Sequence, residues 1–178
     1  MFNAPLRRLA NAIYRTVDNT TGGAFFKRQD LINGLLQTQQ IQLRQHYQAL
    51  LNTNPALLPA LHETEFRIYS QHGEDGIIHY IFSIIGATTK RCVEICAGDG
   101  IQCNSANLII HHGWDGLLFD GDAKNVERGR RFYQVTPDTI SYPPVFELAW
   151  ITRDNINDLI RRAGFAGEVD LLTIDIDG

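Results

Sequence analysis

The residues able to do chemistry gather at three turns. Val93-Glu94-Ile95-Cys96-Ala97-Gly98-Asp99-Gly100 reads as the end of an apolar strand running into a small-residue turn. Gly98 and Gly100 let backbone pass close to a ligand, and the helix that follows can offer N–H donors. Asp120 closes the next apolar run, with Gly121 and Asp122 in the turn after it. Twenty residues separate Gly100 from Asp120, the gap expected when a carboxylate on the second strand accepts vicinal ribose hydroxyls. Asp175 and Asp177 close the last apolar run and share one face of an extended strand. They could serve as a base or hold a divalent cation, although no metal is expected, since Asp-x-Asp at a strand end often lines a cleft without one.

Glu94 and Asp99 narrow the ligand. No Gly-x-Gly-x-x-Gly occurs, and Asp99 sits inside the turn, where it would repel a pyrophosphate. That spacing disfavours an NAD-type oxidoreductase. Acids at a strand end suit a cationic ligand, and S-adenosylmethionine carries a sulfonium, an ammonium and a ribose. The expected cofactor residues are Glu94, Cys96, Ala97, Gly98, Asp99, Gly100, Asp120, Gly121 and Asp122.

The elements that must hold these turns follow from periodicity. Residues 29–51 read as one helix, in which Ile32, Leu36, Leu43 and Leu50 fall on a 4-3 spacing broken by Gln39 and His46. Packing on its own domain is preferred to a coiled-coil dimer, because a seam interrupted by polar residues specifies pairing poorly. Pro55 ends it. From about residue 66 the texture becomes α/β. Helices are expected at 76–85, 106–112, 124–133 and 155–163, and strands at 91–96, 116–120, 145–150 and 169–175. Strands alternating with helices predict right-handed crossovers and a largely parallel sheet. The domains expected are an N-terminal helical region over 1–62 and a Rossmann-like α/β domain over 63–178.

Five ordered motifs carry a resemblance. They are Ser70-Gln71-His72-Gly73-Glu74-Asp75-Gly76-Ile77-Ile78, the Glu94 to Gly100 turn, Asn104-x-x-Asn107-Leu108, Gly113-Trp114-x-Gly116-Leu117-Leu118-x-Asp120-Gly121-Asp122, and Asp170-Leu171-Leu172-x-Ile174-Asp175-Ile176-Asp177-Gly178. Together they resemble the FkbM-type, S-adenosylmethionine-dependent class I methyltransferases, over about the last 110 residues. The resemblance implies a class I fold, with Glu94 and the backbone of residues 97–100 near the methionyl portion. It also implies Asp120 on the ribose, Asp122 near the adenosine side and Asp175 facing the reaction cleft, with Asp175 as the base or acceptor-orienting group. Methyl transfer to an oxygen of a glycan or small-molecule acceptor is what this family likeness suggests. Cys96 stands where the family pattern Glu-x-Gly-x-Gly-x-Gly has its first glycine, so a side chain there either crowds the cofactor or changes the backbone. The chain closes directly after the fourth strand motif, and the resemblance therefore implies an incomplete domain, either a fragment or a truncated relative.

Gln71, Glu74 and Asp75 are candidates for the cleft mouth. Helix capping by Ser70 and the two acids is the competing account. His111 and His112 point apart on a helix and cannot converge on one ion, so a surface position at the helix end is expected.

Composition sets the frame. The 178 residues are 44% hydrophobic and 20% charged, an ordinary globular mixture with a net charge of −4. Residues 1–60 carry six basic groups against two acids, while the remainder carries ten against eighteen. The acidic body argues against a duplex-DNA binder. Residues 1–28 are basic and mildly amphipathic, which leaves weak membrane-surface contact open beside a docked helix. No apolar run approaches the ~20 residues of a transmembrane helix. Cys92, Cys96 and Cys103 lack paired zinc spacing, and an odd number of clustered cysteines suggests reduced thiols and a cytoplasmic setting. Two further classes remain open: an inactive nucleoside-binding module, and a helical adaptor working through residues 1–60, whose oligomeric state composition leaves undetermined.

Overall fold

The computed structural model describes residues 24–176 together with Thr16 and Thr20. Most of the basic N-terminal stretch, and Asp177 and Gly178, lie outside the described residues.

Helix α1 runs from Ala24–Thr53. Its many glutamines are good helix formers, and Pro55 opens a short 3-10 turn, Pro55–Leu57, directly after it. The chain divides into two compact units between Gln42 and Leu43. The second unit thus takes in the last part of α1, ahead of the change of texture at 62/63. Tyr47 anchors that part, 7% exposed, with its ring edge-on to Tyr80 at 4.8 Å.

Four strands form one parallel sheet: β1 Arg91–Ile95, β2 Asp115–Asp120, β3 Val145–Leu148 and β4 Leu171–Ile174, in the order β3-β2-β1-β4. Helix α2, Glu74–Ile85, precedes β1. Helices α3 (Ala106–His112), α4 (Ala123–Val135) and α5 (Ile156–Arg162) fill the crossovers. All four expected strands and the helices between them are present. The expectation of a mainly parallel α/β sheet compatible with a Rossmann-like core is met by this topology.

Alternation along the strands assigns the two faces. Cys92 and Leu118 point to a core shared with Ile109 of α3, Val126 and Tyr133 of α4, and Phe82 of α2. Val93, Ile95, Leu117 and Phe119 point the other way, toward Phe165 and the apolar side of α5. Strands buried on both faces read as near-continuous apolar runs, which is why the sequence of β2 is Gly-Leu-Leu-Phe. Burying each such side chain stabilises by roughly 1.5–3 kcal/mol. Connections β1-α3-β2 and β2-α4-β3 step in one direction, whereas β3-α5-β4 returns to the far side of β1. The order therefore reverses between β1 and β4, and ligands of open α/β sheets bind at the carboxyl ends beside such a reversal.

Candidate functional site

At that reversal lies a polar cleft of about 310 Å³. The turn after β1 forms one wall through Cys96, Ala97, Gly98 and Asp99, and Asp175 beyond β4 forms another. Gln71, Gln102 and Asn125 complete its polar rim.

The turn is shaped by left-handed backbone. Cys96 has φ +61°, Gly98 +59° and Gly100 +69°. Gly100 must be glycine for a second reason: a Cβ there would stand 2.9 Å from the Phe146 ring and 3.0 Å from Leu118. Tyr133 fastens the turn from below by donating its hydroxyl to the Gly100 carbonyl. Burial pushes the Tyr133 hydroxyl well above its ordinary value, so it remains a donor. Cys96 keeps the glycine-like dihedral despite its side chain, at a cost of roughly 1–2 kcal/mol. Its side chain is exposed rather than buried in the strand.

Asp120 ties the two turns together. One carboxylate oxygen accepts the Gly98 N–H at 3.0 Å, and the other accepts the Asp122 N–H at 2.8 Å and the Asn125 side chain at 3.2 Å. A carboxylate offers about four acceptor positions, so three are committed to protein. Register pairs Glu94 with Leu118, so Glu94 and Asp120 lie on the same face of the sheet.

Glu94 is nevertheless not part of the cleft lining. It is fully buried, and its two oxygens accept from the Asn104 N–H and side chain (2.9 and 3.1 Å) and from the Ser105 N–H and hydroxyl. Its work is to hold the segment leading into α3. Asp122 caps α4 by accepting the Lys124 N–H at 2.7 Å. Gly121 borders a separate apolar hollow of about 480 Å³, beside Trp150, Ile151 and Ile174, which shares Cys96 with the polar cleft.

Of the three residues expected at the mouth, Gln71 lines the cleft. Glu74 accepts the N–H groups of His72 and Gly73 at 3.0 Å. Burial opposes ionisation there, but those donors hold the Glu74 carboxyl below its ordinary value. Asp75, 1% exposed, accepts from the N–H groups of Ile68, Tyr69 and Ser70, and its own N–H goes to the Ser70 hydroxyl. These two acids organise the start of α2.

Asp99 receives the Ile101 N–H at 3.0 Å and pairs with Arg128 at 3.2 Å. Asp175 is exposed at the cleft, its N–H bonded to the Ile95 carbonyl at 3.1 Å. Cys103 lines the floor, but burial raises its thiol well above the ordinary value, which makes it a poor nucleophile. Gln102 and Asn125 escaped sequence reasoning; their position, within a few residues of Gly100 and Asp122, was the available signal. Among the described residues no three His, Cys, Asp or Glu side chains converge as a metal-binding group. The lining holds carboxylates and no lysine or arginine, which fits a cationic ligand and opposes a phosphate.

Compared with family models, with curated proteins and with solved structures, the chain gives no match in any of the three. The fold and site define an α/β protein with a four-stranded parallel sheet and a polar cleft at its switch point. No helix among the described residues is long and apolar enough to cross a membrane.

Proposed function

We propose that the cleft binds S-adenosylmethionine and that the protein is an FkbM-type class I methyltransferase acting on an oxygen of a glycan or small-molecule acceptor. The supporting observation is the coincidence of the topological reversal, a left-handed Cys96–Gly100 turn, and the carboxylates of Asp99 and Asp175 around one opening, with Asp120 holding the Gly98 N–H beside it. When bound, the cofactor supplies an electrophilic methyl group. The residues of this chain would orient it: Asp120 toward the ribose hydroxyls, the Cys96–Gly100 backbone and Gln71 toward the amino-acid portion. Asp175 would accept the acceptor's proton or align its oxygen, with proximity and a fixed electrostatic setting supplying most of the acceleration. The apolar hollow beside Gly121 and Trp150 offers contact for the adenine ring.

Calorimetric titration with S-adenosylhomocysteine tests this reading. Saturable binding, accompanied by quenching of Trp150 fluorescence, is expected. Retained binding with lost turnover in Asp175→Asn is expected in an acceptor assay, and full activity of that variant would remove Asp175 from the mechanism. A second reading, a binding module without turnover, draws on the commitment of Glu94 and most of Asp120 to protein donors. Binding without methyl transfer to any oxygen acceptor would favour it, while absence of binding would sink both.

A further inference from the structure

A second hollow, of about 470 Å³, opens at the other end of the sheet, where Lys90 precedes β1 and Trp114 precedes β2. Five residues of β1 separate it from the polar cleft, roughly 16 Å of extended chain. Its lining combines Arg44 from α1, His79 and Phe82 from α2, Lys90, His112 and Trp114. No aspartate or glutamate contributes, and among the described residues neither Arg44 nor Lys90 takes part in an ion pair.

Packing and hydrogen bonds hold the backbone that carries both cations. Tyr47, one helical turn from Arg44, is pinned against Tyr80. Lys90 has φ +53°, and its N–H, with those of Thr88 and Thr89, is bound by the Asp170 carboxylate at 2.6–2.9 Å. The Lys90 ammonium reaches the His112 carbonyl at 3.5 Å. His79, 4% exposed, stacks on His112 at 5.2 Å and 29°. Burial, together with the positive fields of His79, His111, Arg44 and Lys90, pushes the His112 imidazole down to about 3. Burial is the larger cause and opposes charge of either sign; the contributions of Arg44 and Lys90 report that their positive field reaches into the hollow.

We propose that this hollow binds a phosphate monoester, with the oxyanion between the Arg44 guanidinium and the Lys90 ammonium and the ester group against Phe82 and Trp114. Two full cations on different elements match a dianion, and a guanidinium meets phosphate oxygens in pairs. Phe82 and Trp114, edge to face at 4.6 Å, supply the apolar wall. The proposal is independent of the methyltransferase reading, because the two openings share no lining residue.

The test is calorimetric titration of the full chain with inorganic phosphate and with phenyl phosphate. One saturable site is expected, tighter for phenyl phosphate. Arg44→Gln and Lys90→Gln should each weaken it about tenfold, while Arg131→Gln, a cation on the far part of α4, should not. Thermal unfolding of each variant near that of the parent chain secures the comparison. Absence of saturable binding, equal affinity for the two probes, or equal losses in all three variants would overturn the proposal. Competition by S-adenosylhomocysteine would also overturn it, since the anion would then sit at the strand tips.

Discussion

The two ends of β1 invite comparison. Each carries a non-glycine residue in the left-handed region, Lys90 before the strand and Cys96 after it. Around Cys96 the lining is backbone amide and carboxylate; around Lys90 it is guanidinium, ammonium and imidazole. Parallel strands separate the turns themselves: every carboxyl end points one way, so the strand-to-helix turns collect there, while the ends of helices and the starts of strands collect opposite. One sheet thus carries an opening with carboxylates in its lining at one end and an opening with cations in its lining at the other, and a left-handed non-glycine residue stands at both.

The comparison breaks most severely if Glu94 belongs to the first mouth after all. Glu94→Ala removes the acceptor of four buried or part-buried donors, and unfolding in urea should show a loss of about 4 kcal/mol. Unchanged stability with lost S-adenosylhomocysteine binding would instead make Glu94 a ligand residue. At the second mouth, the folded chain holds a proton on His112 less well than the unfolded chain does, with about 3 replacing the ordinary 6.5. The unfolded state therefore binds more protons between those values, so stability is present above 6.5 and is lost as the pH falls toward 3. Denaturant titrations at about pH 7 and pH 4 should differ by roughly 3 kcal/mol, less in His112→Gln, and saturating phosphate should shrink the loss. Asp120→Asn should weaken S-adenosylhomocysteine about tenfold while altering phosphate titration little, because it disturbs the donor set between Gly98 and Asp122. The smallest effect is expected from Cys96→Gly. Relief of the left-handed cost is partly offset by a freer unfolded chain, leaving a gain of about 0.5 kcal/mol in chemical denaturation.

Much of the scaffold was legible because its signals are local. The apolar run Ala106 to His112 with Gly113 after it predicts a helix with those ends, and α3 has them. The runs at 116–120 and 169–175 predict strands, and β2 and β4 lie within a residue or two of them. The strand-tip turn was legible too, since Gly98 and Gly100 stand between a strand and a helix. Side-chain direction at the ends of elements was not. Glu94 is four residues from Gly98, yet alternation sends it under the sheet to Ser105. Asp75 turns back to three amides at 68–70. His111 and His112 do diverge, as adjacent helical positions must, but both are part-buried, against Tyr69 and His79, rather than at the surface. The basic hollow was out of reach of any linear pattern, because residues 44, 79, 90 and 112 meet only through tertiary packing.

The Asp170 clasp bears on how the chain reaches this fold. Its carboxylate joins the start of an edge strand to amides some eighty positions earlier, and those donors keep it ionised down to about pH 2. The central strand therefore acquires its second neighbour only when the most distant segment arrives, a closure that slows assembly through loop entropy rather than through any weak contact. Once shut, the latch persists under mild acid and loses its charged acceptor only as the pH approaches about 2.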